Sequence, residues 1–176
     1  MKKIISLLLI IVTFVNKAYS QENGAETNKD NNHKVALVFG YTHIPSAFEA
    51  GESNNAVFVP TIGVDYSFQF SDKWRVGAVL DLELGDYLVD FDRRDLSRER
   101  ALVTGLIMGY EFTSNWSFLL GPGIEFEKNE NLFILRSSLE YEFEFDKNWG
   151  IFPSVNYDFK EEYSSWSINL GISKSF

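Results

Sequence analysis

The chain contains no cysteine. That removes disulfides, thiolate nucleophiles, thiolate metal ligands and a lipid-modified N-terminal cysteine together. Histidine is scarce, with only His33 and His43, so an imidazole metal cluster has no material and general-base chemistry has few carriers. Cations are the minority: 16 Lys and Arg stand against 25 Asp and Glu, a formal charge of −9. That sign disfavours nucleic-acid binding, which depends on cationic contacts to phosphate. It also disfavours a helix lying on anionic lipid. No apolar run is long enough for a spanning helix, which takes roughly 17–25 residues. There is no phosphate-cradling Gly-rich loop and no nucleophile-elbow pattern.

What is present is aromatic. The chain carries 16 Phe, 8 Tyr and 4 Trp. Its N-terminus has the layout of a cleavable secretory signal: Lys2 and Lys3, then the apolar stretch Ile4 to Val15, then a polar end with Ala18 and Ser20. The expectation is a signal peptide over 1–20, cleaved after Ser20. Cleavage there removes Lys2, Lys3 and Lys17 and no acid, taking the charge from −9 to −12. Residues 21–33 lack an apolar period and read as a flexible polar leader. Residues 34–176 form the remaining domain.

Across that domain hydrophobicity alternates with period two. Phe58, Pro60, Ile62, Val64, Tyr66, Phe68 and Phe70 share one face of a strand, and Thr61, Gly63, Asp65, Ser67 and Gln69 the other. Trp166, Ile168, Leu170 and Ile172 oppose Ser165, Ser167, Asn169 and Gly171 in the same way. The pattern yields eight strands, each longer than the ~9–11 residues a tilted membrane strand uses. Pro60, Pro122 and Pro153 interrupt the pattern and predict bulges or breaks there.

The connections sharpen the reading. Phe70-Ser-Asp-Lys-Trp74, Phe112-Thr-Ser-Asn-Trp116 and Phe145-Asp-Lys-Asn-Trp149 are three short polar turns between aromatics, each after an even-numbered strand. The other connections, including Pro45 to Asn55 and Asp86 to Arg98, are more variable. Alternating short and longer connections suit an outer-membrane barrel with its termini and short turns in the periplasm. Phe70, Trp74, Phe112, Trp116, Phe145, Trp149 and Phe176 would form an aromatic girdle at the lipid interface. A secreted lipocalin-like barrel is the structural rival, with the opposite polarity. Glycine on the polar face and bulky aromatics on the apolar face favour polar-inside.

In this layout the chain resembles the small eight-stranded outer-membrane β-barrel proteins of OmpA and OmpX type, and the outer-membrane β-barrel domain proteins of Bacteroidetes. The resemblance implies an all-β, antiparallel, up-and-down transmembrane barrel. Its partners would be outer-membrane lipid and lipopolysaccharide, and the barrel assembly machinery and periplasmic chaperones during biogenesis. It also identifies a C-terminal assembly signal in Asn169, Gly171 and Phe176, with Lys174 where an apolar residue is expected.

Eight strands leave room only for side chains, so a wide pore is not expected. Parity places Arg75, Glu111, Glu125, Arg136, Glu140 and Glu142 in the lumen as a charge network. Turn register suggests the pairs Glu125–Arg136 and Arg75–Glu111. The remaining inward acids exceed the cations. No catalytic residue, cofactor or metal is assigned. His43 with Ser46, Asp95 and Ser97 is the weak constellation for a rim-located enzyme. Asp90, Asp92 and Asp95 lack the glycine and terminal Glu of a calcium loop. Arg93, Arg94 and Arg98 read as surface residues facing lipopolysaccharide phosphate. A monomeric structural or surface-contact role is expected; the alternative is a narrow conduit or ligand-holding barrel.

Overall fold

The computed structural model describes residues 32–48, 56–91, 94–146 and 148–176. The expected signal segment and nearly all of the leader lie outside these residues. Among the described residues the strands are β1 (His33–Ile44), β2 (Ala47–Phe48), β3 (Val57–Ser71), β4 (Trp74–Glu83), β5 (Asp86–Phe91) and β6 (Arg94–Glu99). They continue as β7 (Leu102–Glu111), β8 (Trp116–Phe126), β9 (Leu132–Tyr141), β10 (Phe143–Asp146), β11 (Trp149–Lys160) and β12 (Ser164–Ser175).

Eight of these are staves of one closed antiparallel barrel. The order β11-β12-β1-β3-β4-β7-β8-β9 returns to β11. Closure leaves no unpaired edge, which is what a sheet in hydrocarbon requires. The first and last staves meet directly, with Lys34 opposite Ser175 and His43 opposite Trp166. The seam is tied at its end by Phe176 N–H to the His33 carbonyl (2.8 Å) and the reverse bond at 3.2 Å. His33, expected in the leader, therefore opens β1.

The alternation in sequence becomes alternation in space. In β8 every odd position from Ser117 to Glu125 is buried and every even position from Trp116 to Phe126 is exposed. The exposed side is the greasy one: Leu106 is 67% exposed, Ile168 57% and Phe39 51%. The buried side holds Arg75, Asp81, Glu125, Arg136 and Asp158. A water-soluble barrel has the opposite polarity, and a belt of this extent in water would be an aggregation surface. The lipocalin-like alternative is thereby set aside.

Of the bulges or breaks expected at the prolines, the ladder breaks at Pro122 and Pro153 but not at Pro60, and none of the three carries a bulge. Neither register shift falls on one; both fall at turn aromatics, between Gln69 and Ser71 and between Glu144 and Asp146. Pro60 pairs with Tyr41 in an unbroken ladder, and its carbonyl accepts from Leu84 N–H where β4 is ending. At Pro122 the β7–β8 pairing lapses between Gly105–Gly123 and Met108–Leu120, then resumes in the same register. Pro153 sits where β11 passes from β9 to β10, again without a slip. A missing N–H costs a ladder bond but does not by itself insert a residue.

The segment expected as a solvated loop, Asp86 to Arg98, is instead a hairpin. β5 and β6 pair from Asp86–Glu99 to Phe91–Arg94, and β2 adds to β5 through Ala47–Val89 and Phe48–Leu88. The inner face of this three-stranded sheet carries Tyr87, Val89 and Leu96, which pack with Ile44, Ala47, Val59, Leu132 and Tyr163. This apolar cluster caps the barrel end opposite the termini.

Candidate functional site in the barrel lumen

Below the cap the lumen is occupied by three tiers of charged side chains. The upper tier gathers the ends of β4, β6, β8 and β11. Lys160 Nζ lies 2.5 Å from Glu125 and 3.5 Å from Glu83. Arg98 Nε lies 3.2 Å from Glu125, and its Nη1 donates to the Glu130 carbonyl at 2.5 Å. Tyr163 donates to Glu125 at 2.9 Å and Tyr87 to Glu83 at 2.7 Å. Burial holds both tyrosine hydroxyls, in the hairpin and loop beyond the staves, above the ordinary phenol range, so they remain donors. Lys160 also sits 4.4 Å from the Tyr163 ring centroid. Arg98 and Glu125 are 0% exposed.

The middle tier is centred on Arg136. It bridges two walls, donating to both oxygens of Asp158 at 2.7 and 2.8 Å and to Asp81. Asp158 faces Arg136 directly across β9–β11, a bidentate geometry suited to a guanidinium. A void of about 10 Å³ remains here, lined by Asp65, Asp81 and Glu140 among others. That is room for about one water.

The lower tier serves the end that carries the termini. Arg75 pairs with Glu140, three staves away, and stands 3.9 Å from Glu111. Lys34 binds Glu142 at 2.7 Å, and Ser173 donates to the other oxygen at 2.8 Å. Below lies a polar vestibule of about 250 Å³, lined by Gln69, Glu111, Asn115, Glu144 and their neighbours.

Glycines make these crossings possible. A Cβ on Gly63 would meet Asp81 Oδ1 at 2.1 Å, and one on Gly109 would meet Arg75 Cγ at 2.7 Å. Each is a landing place for a long side chain in a tube too narrow for two.

The six sequence-predicted network residues all join these tiers, but not in the pairs expected. Glu125 and Arg136 are in different tiers: Glu125 turns to Lys160 and Arg98, Arg136 to Asp81 and Asp158. Arg75 does approach Glu111, yet its shorter contact is Glu140. Arg98, assigned to the surface, is completely buried. Lys34, Lys160, Asp158, Tyr87 and Tyr163 were missed. Asp158 and Lys34 had the right parity. Lys160 and Tyr163 fell in a connection and gave no signal.

The aromatic girdle residues lie where the turns place them. Phe70, Trp74, Phe112, Trp116, Phe145, Trp149 and Phe176 are all exposed around the lower end. Trp74 packs on Tyr110 and Trp116 on Tyr141, at centroid distances of 4.8 and 4.9 Å. A second aromatic group, not anticipated, lies at the other end: His43 packs between Phe58 and Trp166 with centroids 4.5 and 4.9 Å away, and Phe126 and Phe159 are exposed at the same end of their own staves. Trp116 to Phe126, Trp149 to Phe159 and Trp166 to Phe176 are equal steps along their staves. At strand rise and usual tilt each step spans about 25 Å, the height of an outer-membrane apolar band. His43 therefore belongs to an aromatic group, and its Nδ1 has no hydrogen-bond partner. In the assembly-signal positions Asn169 faces the lumen and donates to Ser167, Gly171 admits the Phe152 ring, and Phe176 stacks on His33 at 5.8 Å. Lys174 lies 5.1 Å from the Trp149 ring centroid. Among the described residues no group of acids and histidines could hold a metal ion.

No protein-family model matches the chain, and no curated protein matches it. Solved structures do. OprG from Pseudomonas aeruginosa aligns at a TM-score of 0.60 with 13% identity, covering 82% of this chain and 96% of that one. Neisserial surface protein A aligns at 0.53 with 9% identity, covering 82% and 97%. Ail, the attachment invasion locus protein of Yersinia pestis, aligns at 0.50 with 14% identity, covering 82% and 99%. At these identities the likeness is one of fold. The chain has the fold of the small eight-stranded outer-membrane β-barrel proteins.

Proposed function

We propose that the protein is a closed, non-catalytic barrel of the bacterial outer membrane that does structural or surface-contact work. In this reading the signal segment is cleaved after Ser20, the termini and the three Phe-turn-Trp hairpins face the periplasm, and the β2-β5-β6 sheet faces outward. It works as a monomer, contacts outer-membrane lipid and lipopolysaccharide, and reaches the membrane through periplasmic chaperones and the barrel assembly machinery.

The observation that carries the reading is the filled lumen. Three ionic tiers and an apolar cap lie in series, and the space left in mid-barrel is about 10 Å³. A hydrated solute has no continuous path through such a column. The aromatic girdle and the aromatic group at the opposite end support a membrane position at both interfaces. The surface sheet is the part able to meet a partner, because the staves are committed to lipid.

Purified protein in a planar bilayer is expected to give no stepwise conductance, while migrating heat-modifiably from outer-membrane fractions. Regular conductance steps would replace the closed barrel with a conduit. Recovery from the soluble periplasm would remove the membrane assignment.

A further inference from the structure

The outward face of the barrel is almost free of charge. On each of the eight staves the positions that alternate with the lumen ones hold aromatic, aliphatic or neutral polar residues, with no Asp, Glu or Arg among them. Lys174 on β12 is the one Lys at such a position. A charge in hydrocarbon is costly, so a cation that faces lipid belongs at headgroup depth. Register puts it there. Lys174 stands between Trp149 on β11 and Val35 on β1, two residues before Phe176 and within the girdle. Its Nζ lies 5.1 Å from the Trp149 ring centroid, inside cation–π range. The C-terminal assembly signal calls for an apolar residue at this position, so it supplies no reason for the charge.

The surroundings define what fits. Toward mid-membrane the next outward pair is Ile172 opposite Leu37, both exposed, which is an apolar bed. Toward the terminus-bearing end lies His33, bonded through its backbone to Phe176. Its Nδ1 is 2.8 Å from the Tyr66 hydroxyl. With Tyr66 donating to Nδ1, Nε2 carries the hydrogen, so the imidazole offers an N–H at headgroup level, as does the Trp149 indole. An ammonium has three donors, so contacts within the protein leave donors for a lipid. Donors beside an apolar bed, on a face without carboxylates, suit a phosphodiester carried on acyl chains. A choline or ethanolamine headgroup brings its own cation to compete with Lys174. A headgroup of net negative charge does not.

We propose that the β12–β1 seam at the terminus-bearing end is a binding site for an anionic phospholipid. Lys174 holds the phosphodiester, Trp149 and His33 border it, and the acyl chains lie on Ile172 and Leu37. The inference rests on the membrane position proposed above and adds to it the lipid class and the place.

The test is native mass spectrometry of the full refolded protein in neutral detergent, titrated with phosphatidylglycerol and with phosphatidylcholine of the same acyl chains. Phosphatidylglycerol is expected to bind about fivefold more tightly, the worth of one Lys beside an anionic headgroup. Lys174→Leu should bring the two lipids to equal affinity, and Lys174→Arg should keep the preference. Lys73→Leu and Lys147→Leu, in the short turns at the same end, should leave it unchanged. Excess inorganic phosphate should not displace the lipid. Equal affinity in the unaltered protein overturns the proposal. So does a preference that survives Lys174→Leu, that falls with the turn lysines instead, or that inorganic phosphate abolishes. Retention of neither lipid, together with loss of heat-modifiable migration, overturns the membrane reading and the proposal with it.

Discussion

The two ends of the barrel use the same chemistry and treat it differently. At the capped end Lys160, Arg98 and Glu125 are sealed from solvent under Tyr87, Val89 and Leu96. At the terminus-bearing end Lys34 and Glu142 form an equally short pair, but their side chains keep 18% and 23% of their surface in solvent. The pairs are alike, and the lid is what differs. A sealed ion pair is costly to break, because the remaining charge has no water to turn to. An ion pair in contact with water has a substitute partner at hand. One end is therefore held rigidly by its charges, and the other can exchange them.

The broadest way to break this comparison uses the absence of native cysteine. Ser165→Cys under the cap and Ser114→Cys in the vestibule are each the sole thiol of their variant. A water-soluble maleimide is expected to label Ser114→Cys orders of magnitude faster, since Ser165 is 1% exposed and modification there requires local opening. Comparable rates would mean that the cap leaks. Next in size is Lys160→Met, which leaves buried Glu83 with the Tyr87 hydroxyl but no cation and leaves Glu125 to Arg98 and Tyr163 alone. A loss of about 3–5 kcal/mol is expected in urea unfolding from lipid vesicles, and a loss near zero would show that water reaches the upper tier. A double-mutant cycle then sharpens the pairing. Glu125→Gln with Lys160→Met should show coupling of about 1–3 kcal/mol, while Glu125→Gln with Arg136→Met should be additive within about 0.5 kcal/mol. Coupling in the second pair would return Glu125 and Arg136 to one tier. The smallest effect is expected at the wet end, where Lys34→Met should cost about 1 kcal/mol or less in the same unfolding assay.

Much of this fold was legible because a strand reports its environment locally. The alternation at Trp116 to Phe126 survives unchanged as alternating exposure, and the three Phe-turn-Trp segments are hairpins at one end. Period-two parity put Arg75, Glu125 and Arg136 on the face that the structure buries. It did not choose their partners. Arg75 reaches Glu140 and Arg136 reaches Asp81 across the tube, and no hairpin register connects those strands. Arg98 looked like a surface residue because Asp90, Asp92, Arg93, Arg94 and Asp95 before it are charged. Its burial follows from the hairpin folding over the barrel mouth, which a local pattern does not encode. Lys160 and Tyr163 are at a stave end and in the following turn, where parity has no reference.

By itself the sequence determined what each strand shows to lipid and to the interior, because side-chain direction follows from backbone period alone. It also determined where the chain turns, through short polar segments bounded by aromatics. Only the tertiary structure decided which charges meet, which end is dry and where space is left. Those properties depend on closure: bringing β11 beside β9 and laying β5 and β6 over the rim sets distances between residues that no local interaction relates.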